Sequence, residues 1–155
     1  MLFRSPFGVN EIYYIATPVV ALAAGASINF SLLTEEPDVV FRSMYLQSAA
    51  GHTTVDLYRD VTPVGGDTIV PINTDTQSSL SFPGTYKDTV TSHDGVTPVL
   101  SGALLGSSTP NTFAAGQRLI NIRLEKNMQY AMTVTNSDTA GTRDISIEFS
   151  IGAAQ

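Results

Sequence analysis

Along much of this chain apolar residues recur at every second position, the signature of strands with one dry face. The pattern is cleanest where Ile145, Ile147, Phe149 and Ile151 alternate with Ser146, Glu148 and Ser150. Ile120, Ile122 and Leu124 alternate in the same way with Asn121, Arg123 and Glu125, and Tyr130, Met132 and Val134 with Ala131, Thr133 and Thr135. Lys126-Asn127 and the run from Asn136 to Gly141 between them are turn-forming. The pattern predicts a three-stranded meander from Ile120 to Ile151.

The first half repeats the pattern less cleanly. Ile28, Phe30 and Leu32 alternate with Asn29 and Ser31, and Glu35-Glu36-Pro37-Asp38 then breaks the chain. Val40, Met44 and Leu46 are expected on one face of the next strand, with Phe41, Ser43 and Tyr45 on the other. Val55 and Leu57 point inward from Val55-Asp56-Leu57-Tyr58, and Tyr13 to Val20 forms a further strand in which Pro18 marks an edge or a bulge. Between about residues 60 and 116 the chain is punctuated by Pro63, Gly65-Gly66, Pro71, Pro83-Gly84, Asp94-Gly95, Pro98 and Pro110-Asn111. That stretch reads as long, partly stranded excursions, with Thr68-Ile69-Val70 and Val99-Leu100 as short strands. Val20 to Ala26 is the one helix candidate, without a stripe of helical period. Two sheets with facing dry sides give an all-β fold, an antiparallel, jelly-roll-like β-sandwich with long Gly/Ser/Thr-rich loops. Residues 1–10 form an N-terminal arm and 11–155 a single domain.

Composition narrows the function. A chain of 155 residues with 43% apolar residues can build one core, but only 14% of it is charged, against about a quarter in typical domains. The polar surface is Thr, Ser, Asn and Gly, which suits contact with other protein. The net charge of −6 and the scatter of the eight Lys and Arg argue against nucleic acid. The absence of cysteine removes disulfides, thiolate zinc sites and thiol catalysis. The most apolar stretch, Ile12 to Ala26, is interrupted by Thr17, Pro18 and Gly25, and is not expected to span a membrane or serve as an export signal.

No motif for chemistry emerges. His52 and His93 stand beside turn residues and are expected to be solvated. There is no nucleophile elbow and no phosphate-binding glycine loop. Glu35, Glu36 and Asp38 read as a solvated strand cap. Asn73-Thr74-Asp75-Thr76 alternates oxygen ligands but lacks the closing Glu of a calcium loop. Catalytic, cofactor-binding and metal-ligating residues are therefore all expected to be absent. Tyr13 and Tyr14 point to opposite faces of a strand, and Tyr45, Tyr58, Tyr86 and Tyr130 are expected to pack on strand faces with their hydroxyls in water. Met1 to Phe7 is apolar and proline-interrupted, so it must be covered, by its own domain or by a neighbouring subunit. Leu2, Phe3, Phe7, Tyr13 and Tyr14 are the candidate contact residues.

Val55-Asp56-Leu57-Tyr58-Arg59, Ile69-Val70-Pro71-Ile72-Asn73, the Gly/Ser/Thr-rich middle, the run Ile122 to Asn136 and Ile145 to Phe149 together resemble small head decoration, or cement, proteins of tailed bacteriophages. The resemblance spans roughly Thr53 to Phe149 as a loose pattern. It implies a non-enzymatic β-sandwich without cofactors, a dimer or trimer bound to the major capsid protein on the capsid exterior of the virion and assembled in the host cytoplasm. The competing expectation is a tail-fibre or lectin-like module that binds receptor glycans through Tyr45, Tyr58 or Tyr86.

Overall fold

A computed structural model describes residues 12–17, 19–35, 39–49, 52–75, 81–82, 84–105 and 113–153. They contain the strands β1 (Ile12–Ala16), β2 (Val20–Leu22), β3 (Ser27–Thr34), β4 (Val39–Ala49), β5 (His52–Arg59), β6 (Pro63–Ile69), β7 (Ile72–Asn73), β8 (Gly84–His93), β9 (Leu100–Leu105), β10 (Phe113–Leu124), β11 (Met128–Asn136) and β12 (Arg143–Ala153). One sheet runs β10–β4–β12–β1–β7, with β2 also on β12, and the other runs β6–β8–β3–β11–β5–β9. The dry faces of these two antiparallel sheets meet as a β-sandwich.

In β3, β5, β11 and β12 the dry face is the one that the alternation predicts. Ile145, Ile147, Phe149 and Ile151 are buried from one sheet, and Phe30, Leu32, Val55, Leu57, Tyr130, Met132 and Val134 from the other. At the centre the Phe149 ring meets Phe30 and Tyr86 edge-on, both at 6.0 Å, and Phe41 at 5.6 Å. The first two contacts place a ring edge against a ring face, and the Phe41 ring is tilted at 45°.

The expected meander is not there. β10 and β12 flank β4 in one sheet, while β11 lies in the other between β3 and β5. A period of two fixes which side of a strand is dry but not which strand lies beside it, and a crossing between sheets preserves the same alternation. The β10–β11 crossing is held from both sides. The buried Thr34 hydroxyl donates to the Glu125 carbonyl and accepts from Met128 N–H, and the Tyr130 hydroxyl accepts from Glu125 N–H at 2.9 Å. Asn127 takes the left-handed conformation (φ 54°) that closes the turn.

β1 and β2 lie end to end along β12, opposite Glu148–Gly152 and Arg143–Ile145 respectively. At the interruption Thr17 N–H donates to the Ile147 carbonyl (2.8 Å) and its hydroxyl accepts from Ile147 N–H (3.0 Å), so Ile147 keeps both backbone bonds. The helix candidate Val20–Ala26 is β2 and a turn in which Gly25 has φ 74°. In β4 the inward residues are Val39 and Phe41, not Val40. A bulge at Arg42, between the pairs Phe41–Ile151 and Ser43–Ser150, shifts the phase.

The middle of the chain is more regular than its punctuation suggested. β8 extends over ten residues and pairs with both β3 and β6. It escapes a hydrophobicity reading because Thr85, Thr89 and Thr91 make up three of its four β-branched residues, Val90 being the fourth, with a bulge around Thr89 (φ 49°). Gly66 permits the close approach of β6, since a Cβ there would sit 2.7 Å from the Asp88 carbonyl.

Three tyrosine hydroxyls are enclosed, among them two expected in water, those of Tyr86 and Tyr130. Tyr13 donates to the Ser81 carbonyl (3.0 Å), Tyr130 holds Glu125, and the buried Tyr86 hydroxyl has no hydrogen-bond partner among the described residues. Burial pushes the Tyr86 pKa up, and the ring lines a small apolar cavity of about 20 Å³ between the sheets. Tyr86→Phe is expected to raise stability by about 1 kcal/mol, since it removes a desolvated donor without breaking a bond. The check is a higher urea midpoint at unchanged slope; a lower midpoint would mean that the hydroxyl is bonded.

Candidate functional site

Two surface regions carry side chains that the core does not use. The first lies on the outer face of the β3–β11–β5–β9 strands, where Asn29, Thr133, Asp56 and Ser101 follow one another in cross-strand register. Thr133 Oγ1 donates to Asn29 Oδ1 (2.8 Å), and the Ser101 hydroxyl donates to the Asp56 carboxylate. One row further on, the Ser27 and Thr135 hydroxyls are 2.7 Å apart. Short polar side chains thus satisfy one another across the sheet.

His93, at the end of β8, completes this network rather than standing in solvent as its turn-like surroundings suggested. Its Nε2 lies 2.8 Å from Thr133 Oγ1, its Nδ1 accepts from Gly95 N–H (3.1 Å), and its ring centre is 4.7 Å from that of Tyr58. The Thr133 proton is committed to Asn29, so Nε2 must carry the imidazole hydrogen and donate it to Thr133. Burial lowers the His93 pKa, against the opposing effect of the neighbouring Asp94 carboxylate. Asp94 in turn accepts from Thr62 N–H at 2.6 Å, which holds its carboxyl below the usual range. With both ring nitrogens engaged, the imidazole is built into the fold.

His52 opens β5 rather than lying in a turn, and its N–H donates to Asp138 Oδ1 at 2.9 Å. Asp138 also accepts from Arg143 Nε (2.8 Å), and these bonds, the one from His52 first, keep its carboxyl below the ordinary value. At the calcium-like run, Asn73 Oδ1 is taken by Asp75 N–H at 2.9 Å. Among the described residues no group of three or more His, Cys, Asp or Glu is placed to hold a metal ion. Nor do the tyrosines proposed for glycan binding share a platform. Tyr86 is buried in the core, whereas Tyr58 packs against His93, and a Cβ at Gly95 would lie 2.8 Å from the Tyr58 ring. The Tyr45 side chain lies outside the description.

The second region is the corner where β6 of one sheet gives way to β7 of the other. Ile69, Val70 and Ile72 are 38%, 78% and 69% exposed there, and Val64 on β6 is 55% exposed. The corner has a fixed frame. Pro71 is buried and sets its own φ, it biases Val70 towards an extended backbone, and Thr74 N–H donates to the Ile12 carbonyl at 2.9 Å. Ile72 pairs with Tyr14 on β1, and Tyr14 with Ser150 on β12, so the three share an outer face. The Tyr14 hydroxyl donates to Glu148, and this bond together with partial burial pushes its pKa up to about 12.

Of the contact residues expected from sequence, Tyr14 lies on this outer face. Tyr13, 1% exposed, is a core residue with its ring edge 5.2 Å from Phe82. Leu2, Phe3 and Phe7 lie outside the described residues. The sequence reading missed Ile69, Val70 and Ile72. Their signal was an apolar run split by a proline, which resembles an interior strand until both sheets are placed.

No family model matches the chain, and no curated protein matches it. Among solved structures, the K3 cleaved adhesin domain of Lys-gingipain from Porphyromonas gingivalis w83 is 15% identical, covering 92% of this chain and 63% of that one at a TM-score of 0.24. The T=1 particles derived from infectious bursal virus give 10% identity, 94% and 40% coverage and a TM-score of 0.26. CorA, a surface-associated copper-binding protein of Methylomicrobium album BG8, gives 12% identity, 87% and 78% coverage and a TM-score of 0.20. The chain spans less than two thirds of the first two. At these scores the similarities assign neither family nor function.

Proposed function

We propose that this chain is a structural protein that works by binding other protein, and that it decorates and stabilises a phage capsid by gripping major capsid subunits. The observation that carries the reading is the corner Ile69–Ile72. Apolar side chains held in water on a frame fixed by a buried proline gain about 25 cal/mol for each Å² that a partner covers, and the rigid frame leaves little ordering entropy to lose on contact. Beside Ile72 stand Tyr14 and Ser150, and the outer face of β3, β11, β5 and β9 carries the short polar row Asn29, Thr133, Asp56 and Ser101, which suits a shape-matched contact in which the partner's backbone groups take part. The sequence resemblance to phage head proteins supplies the identity of the partner. On a lattice of repeated sites a modest affinity at each is multiplied when several arms of a dimer or trimer engage together. In this reading the protein sits on the capsid exterior, and neither catalysis nor a cofactor is required.

The test is co-sedimentation of the purified protein with expanded, undecorated capsids, alongside a variant carrying Val70→Thr and Ile72→Thr. Threonine keeps the β-branched shape at exposed positions, so the variant is expected to melt with the wild type. Its capsid affinity is expected to fall on the order of tenfold, equivalent to about 1.4 kcal/mol. Equal binding by the variant, or no binding by the wild type, would overturn the proposal, and retention on host glycans instead would favour the tail-fibre reading.

A further inference from the structure

We propose that His93 is a proton-operated latch for the loop 94–99, which folds back over the outer face of the β8–β3–β11–β5 strands. The neutral ring joins two partners of opposite sense, donating from Nε2 to Thr133 and accepting at Nδ1 from Gly95 N–H. A second proton has one place to go, Nδ1, where it turns the acceptor of Gly95 into a donor facing a donor. The Gly95 bond is then lost, whereas the Thr133 bond survives and is strengthened by the charge.

Gly95 has little room to adjust in place. Its Cα lies so close to the neighbouring rings that a Cβ would stand 2.8 Å from Tyr58 Cδ1 and 2.9 Å from His93 Nδ1. The loop is pinned at its far end by Val99 N–H donating to the Leu57 carbonyl at 2.7 Å, and at its near end by the Asp94 bond to Thr62. Between these pins stands Val96, 90% exposed. Protonation therefore frees the middle of the loop, which moves Val96 and uncovers the Tyr58 ring.

The groups around the imidazole set the direction of the response. Asp94, next along the chain, favours the imidazolium; Tyr58 and Asp56 come from β5, while Thr133 of β11, Asn29 of β3 and Pro63 of β6 carry no charge. Burial outweighs Asp94, so the folded pKa lies below that of the unfolded chain. The latch is thus fully closed above the unfolded value of about 6.5 and loosens as pH falls through that value towards the folded one. Asp94 does not titrate in this window, since its carboxyl is held below the ordinary range.

Nitrogen-15 NMR of the ring and of the Gly95 and Val96 amides between about pH 8 and pH 5 tests this directly. The expected result is a neutral ring with its hydrogen on Nε2, and Gly95 and Val96 resonances that follow the His93 titration with a single proton. Gly95 amide exchange, corrected for its intrinsic pH dependence, should accelerate on the order of tenfold across the transition. His93→Gln keeps a donor towards Thr133 but cannot gain a proton, so its Gly95 resonance should not move with pH. His52→Gln should leave the response intact. A ring hydrogen on Nδ1, or a Gly95 resonance indifferent to the titration of His93, would overturn the proposal, and both are read on the wild type alone.

Discussion

Asn136→Ala is expected to destabilise the protein by about 3 kcal/mol, one of the largest losses from any single polar side chain in the molecule. Asn136 is 0% exposed and uses nearly all its bonding capacity. Its Nδ2 donates to the Leu22 carbonyl (2.9 Å) and the Gly141 carbonyl (3.2 Å), and its Oδ1 accepts from Asp138 N–H (3.1 Å). Its backbone N–H donates to the Ala26 carbonyl (3.0 Å) and its carbonyl accepts from Gly25 N–H (2.8 Å). One residue thus ties the end of β2, the start of β3 and the return from β11 to β12. Truncation strands the Leu22 carbonyl in the interior and leaves the 137–142 connection to the bonds that Asp138 makes with His52 and Arg143. Asn136→Asp should be worse at neutral pH, because it aims a buried carboxylate at two carbonyl oxygens, and should recover in part as the solution is acidified. Urea melts of both variants decide the matter, and a loss below about 1 kcal/mol for the alanine variant would show that the connection is held by other means.

The second large effect is expected at the centre of the core. Phe149→Ala removes the ring that meets Phe30, Tyr86 and Phe41, and should lower stability by about 4 kcal/mol. The site cannot collapse easily, since Phe149 already borders the cavity between the sheets and its removal enlarges that space. Phe149→Leu, which leaves most of the volume filled, should cost clearly less. Thermal melts of the two variants would show it, and equal losses would argue that ring–ring geometry outweighs filled volume.

The fold could be read from the sequence only as far as one-residue-in-two patterning reaches. Ile145 to Ile151 announced its buried face because every other residue is polar, and Tyr130, Met132 and Val134 did so because only the small Ala131 and the polar Thr133 stand between them. Their neighbours could not be read, since a strand with one dry face fits either sheet, and the bonds of Thr34, Tyr130 and Asn136 that hold the crossings on either side of β11 leave no trace in that pattern. β8 stayed hidden because threonine supplies most of its β-propensity without hydrophobicity, leaving Tyr86 and Val90 as isolated apolar residues. His93 and Thr133 are 40 residues apart, so no local window could reveal that the imidazole was a structural partner and not a solvated one. The exposed corner was obscured for the converse reason: Ile69-Val70-Pro71-Ile72 is as apolar as an interior strand, and its exposure follows from its place at the junction of two sheet edges.

The pairing of β12 with β1, β2 and β4 has a consequence for biosynthesis. β1 and β2 wait for residues 143–152, and β4 takes both its neighbours from beyond residue 112. While the ribosome is still adding those residues, Val39 and Phe41 have no sheet to enter and β1 has only its two-residue pairing with β7, so Tyr13, Ile15, Val39 and Phe41 must remain wet or be shielded by a chaperone. Such non-local closure makes for slow folding that waits on the synthesis of β12. A nascent chain halted before β12 would leave β1, β2 and one side of β4 open to pairing with other chains.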